Sequence, residues 1–173
     1  MDKDRIARTL TRLSKEIGES NGGFENVVLL GIKRGGEVVA ERLQQLIFRE
    51  EGVLLPAAGI DIGLHRDDLV SAFFVPQAVV NKIPFSVEGK TVVLCDDILY
   101  TGRTVRAAIE TIFKELGRPS KIQLLELVDR GGRELPIRAD FVGKNVPSSS
   151  REYVKVNFTE LGAEEDSLTI EKK

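Results

Sequence analysis

Val92-Val93-Leu94-Cys95-Asp96-Asp97-Ile98-Leu99-Tyr100-Thr101-Gly102-Arg103-Thr104 is the stretch that decides the fold of this chain. Four apolar residues run into two adjacent carboxylates, a turn with hydroxyls and a glycine follows, and a helical pattern begins at Val105. That order describes a buried strand that delivers Asp96 and Asp97 to its C-terminal edge, then a loop that opens a helix. In open α/β sheets, ligands bind at such edges. The turn has what an anion needs. Thr101 and Thr104 offer hydroxyls, Gly102 lets the backbone come close, and its N–H joins those of Arg103 and Thr104 at a helix N-terminus. The two acids cannot take the same phosphate directly, but they suit sugar hydroxyls or a phosphate-bound Mg2+ beside it. An acid pair next to an anion cradle reads as a ribose-phosphate site.

Outward from that run, helices and strands alternate. Residues 4 to 19 read as an amphipathic helix with Ile6, Leu10, Leu13 and Ile17 on one stripe, broken by Asn21-Gly22-Gly23. Val27 to Ile32 is a continuous apolar strand of the buried parallel kind. Lys33-Arg34-Gly35-Gly36 turns the chain into a helix carrying Val38, Val39, Leu43, Leu46 and Ile47. Further strands are expected over Ala58 to Leu64, Val92 to Cys95 and Ile122 to Val128, with a helix from Val105 to Leu116 before Gly117-Arg118-Pro119. This spacing predicts an α/β fold, a parallel sheet flanked by helices with right-handed crossovers. From Asp129 onward the alternation is lost. Residues 129–158 are expected to form most of a small C-terminal cap within one domain spanning 1–173. The loop Lys33-Arg34-Gly35 also sits at a strand end and opens a helix, so its cations and N–H groups suit a pyrophosphate.

Composition excludes more than it names. The chain has 173 residues, 42% hydrophobic and 30% charged, which describes a globular domain with a sizeable core. Its longest apolar runs are too short to span a bilayer, so no membrane partner is expected. Met1-Asp2-Lys3-Asp4 leads into a polar helix, not a signal peptide, and a cytoplasmic location is expected. Cys95 is the one cysteine, which rules out an internal disulfide and a cysteine-built metal site; on its strand it reads as a small core residue. A net charge of −2 gives no support for general nucleic-acid affinity. Any RNA binding needs a local basic face. Arg5, Arg8, Arg12 and Lys15 follow helical spacing on the polar side of the first helix, while Arg133, Arg138, Lys144 and Arg151 recur through the cap segment. Fused into one face they would bind phosphates; apart, they are solvated surfaces balanced by Glu16, Glu19, Glu134 and Glu152.

The opening run resembles the phosphoribosyl-pyrophosphate motif of type I phosphoribosyltransferases. The stretches Asp61 to Leu69, Leu127 to Asp140 and Phe141 to Pro147, with Leu99 to Arg106, are similar to one family within that class, the bifunctional pyrimidine operon regulators and uracil phosphoribosyltransferases. The likeness runs from about Arg5 to about Val156. It implies a type I phosphoribosyltransferase sheet with a hood, and the reaction of uracil with phosphoribosyl pyrophosphate to give UMP and pyrophosphate. It also implies Mg2+ as cofactor, with Asp96 and Asp97 as metal candidates. The further partner it implies is a pyrimidine-operon leader RNA, bound in response to UMP through Arg8, Arg12, Lys15, Arg133 and Lys144. A homo-oligomer, dimer or tetramer, is expected.

On that reading each residue type has a task. Asp96 and Asp97 hold ribose hydroxyls and complement the positive charge that develops at the anomeric carbon. Tyr100, Thr101, Gly102, Arg103 and Thr104 hold the 5′-phosphate; Lys33, Arg34 and Gly35 take the pyrophosphate with Mg2+. Arg66 completes the catalytic set by reaching the pyrophosphate on loop closure. Arg138 and Val154 are expected near the base. The purine enzymes of this fold carry an acid where Tyr100 stands, so Tyr100 favours a pyrimidine. His65, the one histidine, reads as a strand-end residue, and Asp67-Asp68 as a turn. Three departures stand out: the family has Thr-Arg-Gly after the lysine where this chain has Arg34-Gly35-Gly36, residues 70–80 are unusually apolar, and Gly132 stands where histidine is common. They keep open an alternative, a regulator that retains the nucleotide site as a sensor with little turnover.

Overall fold

The computed structural model describes residues 1–63, 82–149 and 151–172. Helix α1 (Lys3–Asn21) starts at Asp2, whose carboxylate accepts the Arg5 N–H at 2.9 Å, and ends at Gly22 in the left-handed region. Ile6, Leu10, Leu13 and Ile17 form its buried stripe. Strand β1 (Val27–Ile32) is buried throughout. Then come α2 (Gly35–Glu51), β2 (Ala57–Ile60), β3 (Thr91–Leu99), α3 (Arg103–Thr111) with a π-helical turn over Ile112–Leu116, β4 (Lys121–Asp129), β5 (Phe141–Asn145), β6 (Glu152–Asn157) and β7 (Ser167–Lys172). The first five strands make one parallel sheet in the order β2-β1-β3-β4-β5; β6 and β7 pair as an antiparallel hairpin.

That order sets the functional edge. From β1 the chain moves outward to β2, and from β3 it moves the other way to β4 and β5. The gap between β1 and β3 is therefore the switch point, where such sheets bind ligands. Alternation along β3 sends Val93 and Cys95 into the apolar cluster that holds α1, α2 and the hairpin, and Val92 and Leu94 into the cluster under α3. Cys95 is buried there, and burial pushes its thiol pKa up. The hairpin is tied to α2 by Arg42, which donates to Glu160 at 2.6 and 2.7 Å and to Asp166 at 2.5 and 3.0 Å over the Phe158 ring. Among the described residues, no helix is long and apolar enough to cross a membrane.

Several boundaries differ from expectation, each for a pairing reason. β2 stops at Ile60, short of the expected Leu64, which lies outside the described residues. β3 does not stop at Cys95. Its ladder with β1 ends at the pair Gly31 and Cys95, but that with β4 continues through Asp96 opposite Glu126 to Leu99 opposite Asp129. Asp96 and Asp97 are thus edge residues on the β1 side only. α3 begins at Arg103, before Val105, and its expected run to Leu116 loosens into a π-turn at Ile112. The span 129–158, expected as a cap, divides. Residues 130–140 cross the α3 face without a helix, where Leu135 and Ile137 lie against Gly102. Phe141–Asn145 joins the main sheet as its fifth strand. Glu152–Asn157 begins a hairpin that buries Val154, Val156 and Phe158 in the α1–α2 cluster.

Candidate active site

The loop after β1 is shaped by missing side chains. Lys33 donates its N–H to the Ile60 carbonyl at 3.0 Å, the Lys33–Arg34 peptide is cis, and both side chains are exposed. Gly36 lies on the β3 backbone: a Cβ there would overlap the Cys95 carbonyl oxygen and stand 2.9 Å from the Asp96 Cα. A Cβ on Gly35 would meet the Asp97 carboxylate, with Oδ2 at 2.5 Å and Oδ1 at 2.9 Å. Gly36 must be glycine for α2 to begin against the β3 backbone, whereas a side chain at position 35 needs only the end of the Asp97 side chain to turn aside.

The acids form a larger group than the sequence reading expects. Asp96 is buried and Asp97 half-buried, and Asp97 donates its N–H to Asp96 Oδ1 at 3.0 Å. Burial pushes the Asp97 carboxyl above its ordinary value, against hydrogen bonds from Asp96 and the backbone that lower it. Opposite Asp96, Glu126 is fully buried, and neither of its oxygens has a hydrogen-bond partner among the described residues. Burial first, then the charges of Asp96 and Asp97, hold its pKa well above the usual range. The available signal was a lone acid inside the apolar run Ile122 to Val128.

The second loop is gripped from outside. Gly102 has φ 92°, and Arg103 donates its N–H to Thr101 Oγ1 at 3.3 Å as α3 begins. The Thr101 carbonyl accepts from Glu134 N and Leu135 N at 3.0 and 3.1 Å. The Tyr100 ring lies against Gly132 on one side and carries the Arg130 guanidinium at 3.9 Å on its face. Arg103 is paired with Glu134 at 2.6 Å on the exposed surface. Arg133 donates to the carbonyls of Tyr100 and Ile137, each at 2.9 Å, and pairs with Asp129. Its guanidinium holds this segment in place.

The remaining candidates separate. Arg66, His65, Asp67-Asp68 and the 70–80 stretch lie outside the described residues. Arg138 and Val154 do not converge. Arg138 lines a groove of about 220 Å³ with Leu94, Val105 and Ile109 on the α3 face, whereas the Val154 side chain is buried in the core of the opposite face. The basic residues of α1 do meet Lys144. Arg5, Arg8, Thr9 and Arg12 line a cleft of about 450 Å³ with Gly143 and Lys144, and Lys15 continues it beside Arg8 and Arg12. Arg12 donates to the carbonyls of Val142 and Gly143 at 3.1 and 2.7 Å, which fastens α1 to β5. No group of three or more metal-type side chains forms among the described residues. The pair Asp96-Asp97 still fits a hard cation that takes its other oxygens from water and substrate. Asp97 lies against the loop read as the pyrophosphate site, and a cation would satisfy both anions.

Comparison with known proteins agrees with this geometry. The family described as Phosphoribosyl transferase domain matches residues 2–158. The hypoxanthine phosphoribosyltransferase of Trypanosoma cruzi superposes with a TM-score of 0.72 at 20% identity, over 99% of this chain and 94% of that one, a likeness of fold alone. The bifunctional protein PyrR of Pelotomaculum thermopropionicum is 54% identical over 171 residues, covering 99% of this chain and 94% of that protein. That of Clostridioides difficile is 51% identical over 172 residues, covering 99% and 96%. The matched domain model and the parallel sheet with acids at its switch point place the chain among the phosphoribosyltransferases of type I. Within that class the chain belongs to the bifunctional PyrR family, pyrimidine regulatory proteins with uracil phosphoribosyltransferase activity.

Proposed function

We propose that uracil and phosphoribosyl pyrophosphate react at the gap between β1 and β3, and that the UMP formed or bound there governs the grip of the α1–β5 face on a pyrimidine-operon leader RNA. The contact of Gly35 with the Asp97 carboxylate carries this reading, because it puts the pyrophosphate loop and the ribose acids within one substrate's reach. The bond from the anomeric carbon to pyrophosphate breaks as uracil N1 bonds to that carbon, and the N1 proton passes to the departing pyrophosphate. Asp96 and Asp97 accept the ribose hydroxyls and offset the positive charge on the sugar. They are also the residues that would hold Mg2+, which when bound neutralises the leaving pyrophosphate. Lys33 and Arg34 bind that pyrophosphate, and Thr101 to Thr104 bind the 5′-phosphate at the start of α3.

Arg8, Arg12, Lys15 and Lys144 share one face, which supports the RNA partner; a contact to phosphates there is electrostatic and salt-dependent. Exposed Phe48 and Leu54 are apolar surface that a dimer or tetramer would cover. The test offers uracil, hypoxanthine and guanine separately with phosphoribosyl pyrophosphate and Mg2+. UMP should form from uracil, and Asp97→Asn should cut kcat/KM by about 10²- to 10³-fold. A fully active Asp97→Asn enzyme would remove the acid pair from the mechanism. For the RNA face, Arg8→Ala and Lys144→Ala should each lower the salt dependence of leader-RNA binding by about 0.7 to 0.9 of a log–log unit; unchanged binding in both would move the RNA elsewhere.

A further inference from the structure

Arg130 is the one buried lysine or arginine among the described residues, at 7% exposure. Its Nε donates to Ser148 Oγ at 3.0 Å, and its Nη2 donates to the carbonyls of Ser149 and Glu152 at 3.4 and 3.1 Å. Its backbone N–H donates to the Leu99 carbonyl at 3.1 Å, and its own carbonyl accepts from Ser148 N. The flat face of the guanidinium covers the Tyr100 ring at 3.9 Å. The hydrogen-bond partners of the Arg130 side chain are a hydroxyl and carbonyls, the Glu152 carboxylate acting on it only through space, so the guanidinium face is left to the ring. Gly132, with φ 74°, closes on the ring from another side, where a Cβ would overlap it.

We propose that Arg130 is a positioning residue for phosphoribosyl pyrophosphate: acting through the Tyr100 ring, it fixes the entry to the 5′-phosphate loop and links that loop to Ser148, Ser149 and Glu152. The inference rests on the reading of Tyr100 to Thr104 as the 5′-phosphate loop. A loop that binds an anion through backbone N–H groups must be ordered before the ligand arrives, or the ordering cost is subtracted from affinity. Thr101 and Gly102 have small side chains, and Gly102 allows many backbone conformations, so order has to come from the residues on either side. Arginine suits the position because its plane makes in-plane bonds and stacks at once; an ammonium does only the first.

The prediction is a split between kinetic constants. Arg130→Gln and Tyr100→Leu should each raise KM for phosphoribosyl pyrophosphate about tenfold, the size of a desolvated cation–π contact. For Arg130→Gln the KM for uracil and kcat should stay within about twofold, since Asp96 and Asp97 are untouched. The double variant should be little worse than either single one, because both remove the same contact. Effects that multiply to about a hundredfold, or that fall on kcat or on both KM values equally, overturn the proposal. Arg130→Lys, which keeps charge and hydrogen bonding, should fall between wild type and Arg130→Gln, and it replaces the latter in the cycle if Arg130→Gln does not fold. Thr104→Val tests the underlying loop separately. If it leaves KM for phosphoribosyl pyrophosphate unchanged, the phosphate-loop reading fails. If it raises that KM while the Arg130 variants do not, only the role of Arg130 fails.

Discussion

The loops on the two sides of the switch point reach the same end by opposite means. Lys33 to Gly36 is organised by absence: two adjacent glycines let the start of α2 settle onto the Cys95–Asp97 backbone and carboxylate. Tyr100 to Thr104 is organised by addition, with two backbone N–H groups on one carbonyl, a stacked ring, and Leu135 and Ile137 against Gly102. The first shape is written in four consecutive residues and the strand they touch. The second depends on residues about thirty positions further along the chain. A loop of the first kind is vulnerable at the glycines themselves; a loop of the second kind fails through the segment that holds it.

Of the substitutions that tell the two loops apart, adding one methyl group to the first loop should have the largest effect. Gly35→Ala places a Cβ in the Asp97 carboxylate, which must turn away or push α2 outward. A displacement of this order at the reacting groups costs about 10²-fold in kcat/KM. Global stability should fall much less, by about 1 to 2 kcal/mol, because the carboxylate is the end of a side chain and half-buried. Steady-state kinetics beside thermal unfolding separates the two. An active Gly35→Ala enzyme would mean that the loop need not lie against Asp97, and would remove the contrast between the loops.

Glu126 sharpens the comparison from beneath, since it stands behind the acid pair that both loops share. Its raised pKa means that the folded state holds the proton more tightly than the unfolded chain does. The sign follows. Its contribution is fully present below the ordinary value of 4.5 and is lost as pH rises towards the folded value. Glu126→Gln removes this titration and keeps the shape. The variant should gain on the order of 1 to 3 kcal/mol over wild type at pH 8, the cost of an unsatisfied buried group. At pH 4 the difference should shrink to almost nothing. Urea unfolding at several pH values measures it, and a difference that does not change with pH would mean that Glu126 does not titrate across the range.

These effects mark how far the sequence could be read. Strands β1, β3 and β4 and helices α1 and α2 follow local apolar periodicity, so they fall within a few residues of their places. β5 does not, because Phe141–Asn145 is short, only Phe141 is buried in it, and no helix precedes it. That Asp96-Asp97 and the two glycine-containing loops come together at one sheet edge was legible because the residue types stand at close spacing. The reason for Gly35 was not, since it requires the position of Asp97 some sixty residues away. The structural contacts of Arg133 were hidden for a similar reason. Recurrent arginines read as a surface, but this one has Asp129 four residues before it and two carbonyls to satisfy. Arg12 shows the same pattern on α1, pairing with Glu16 and fastening α1 to β5 through two carbonyls.

The smallest expected effect tests which part of the second loop's grip matters. Glu134 touches the loop twice, through its backbone N–H on the Thr101 carbonyl and through its carboxylate on Arg103. Glu134→Ala removes only the second contact. The pair is about half exposed on both sides, so its loss should change stability by no more than about 0.5 kcal/mol. It also removes a negative charge beside an anion site and frees Arg103 to face the phosphate. KM for phosphoribosyl pyrophosphate should therefore fall by about twofold at low salt, and the gain should fade near 1 M salt, where the screening length is about 3 Å. A KM that instead rises about tenfold, well beyond the worth of an exposed ion pair, would show that the ion pair, and not the backbone bonds to Thr101, holds the loop in place. The contrast between the two loops would then narrow to one between glycines and a single charge pair.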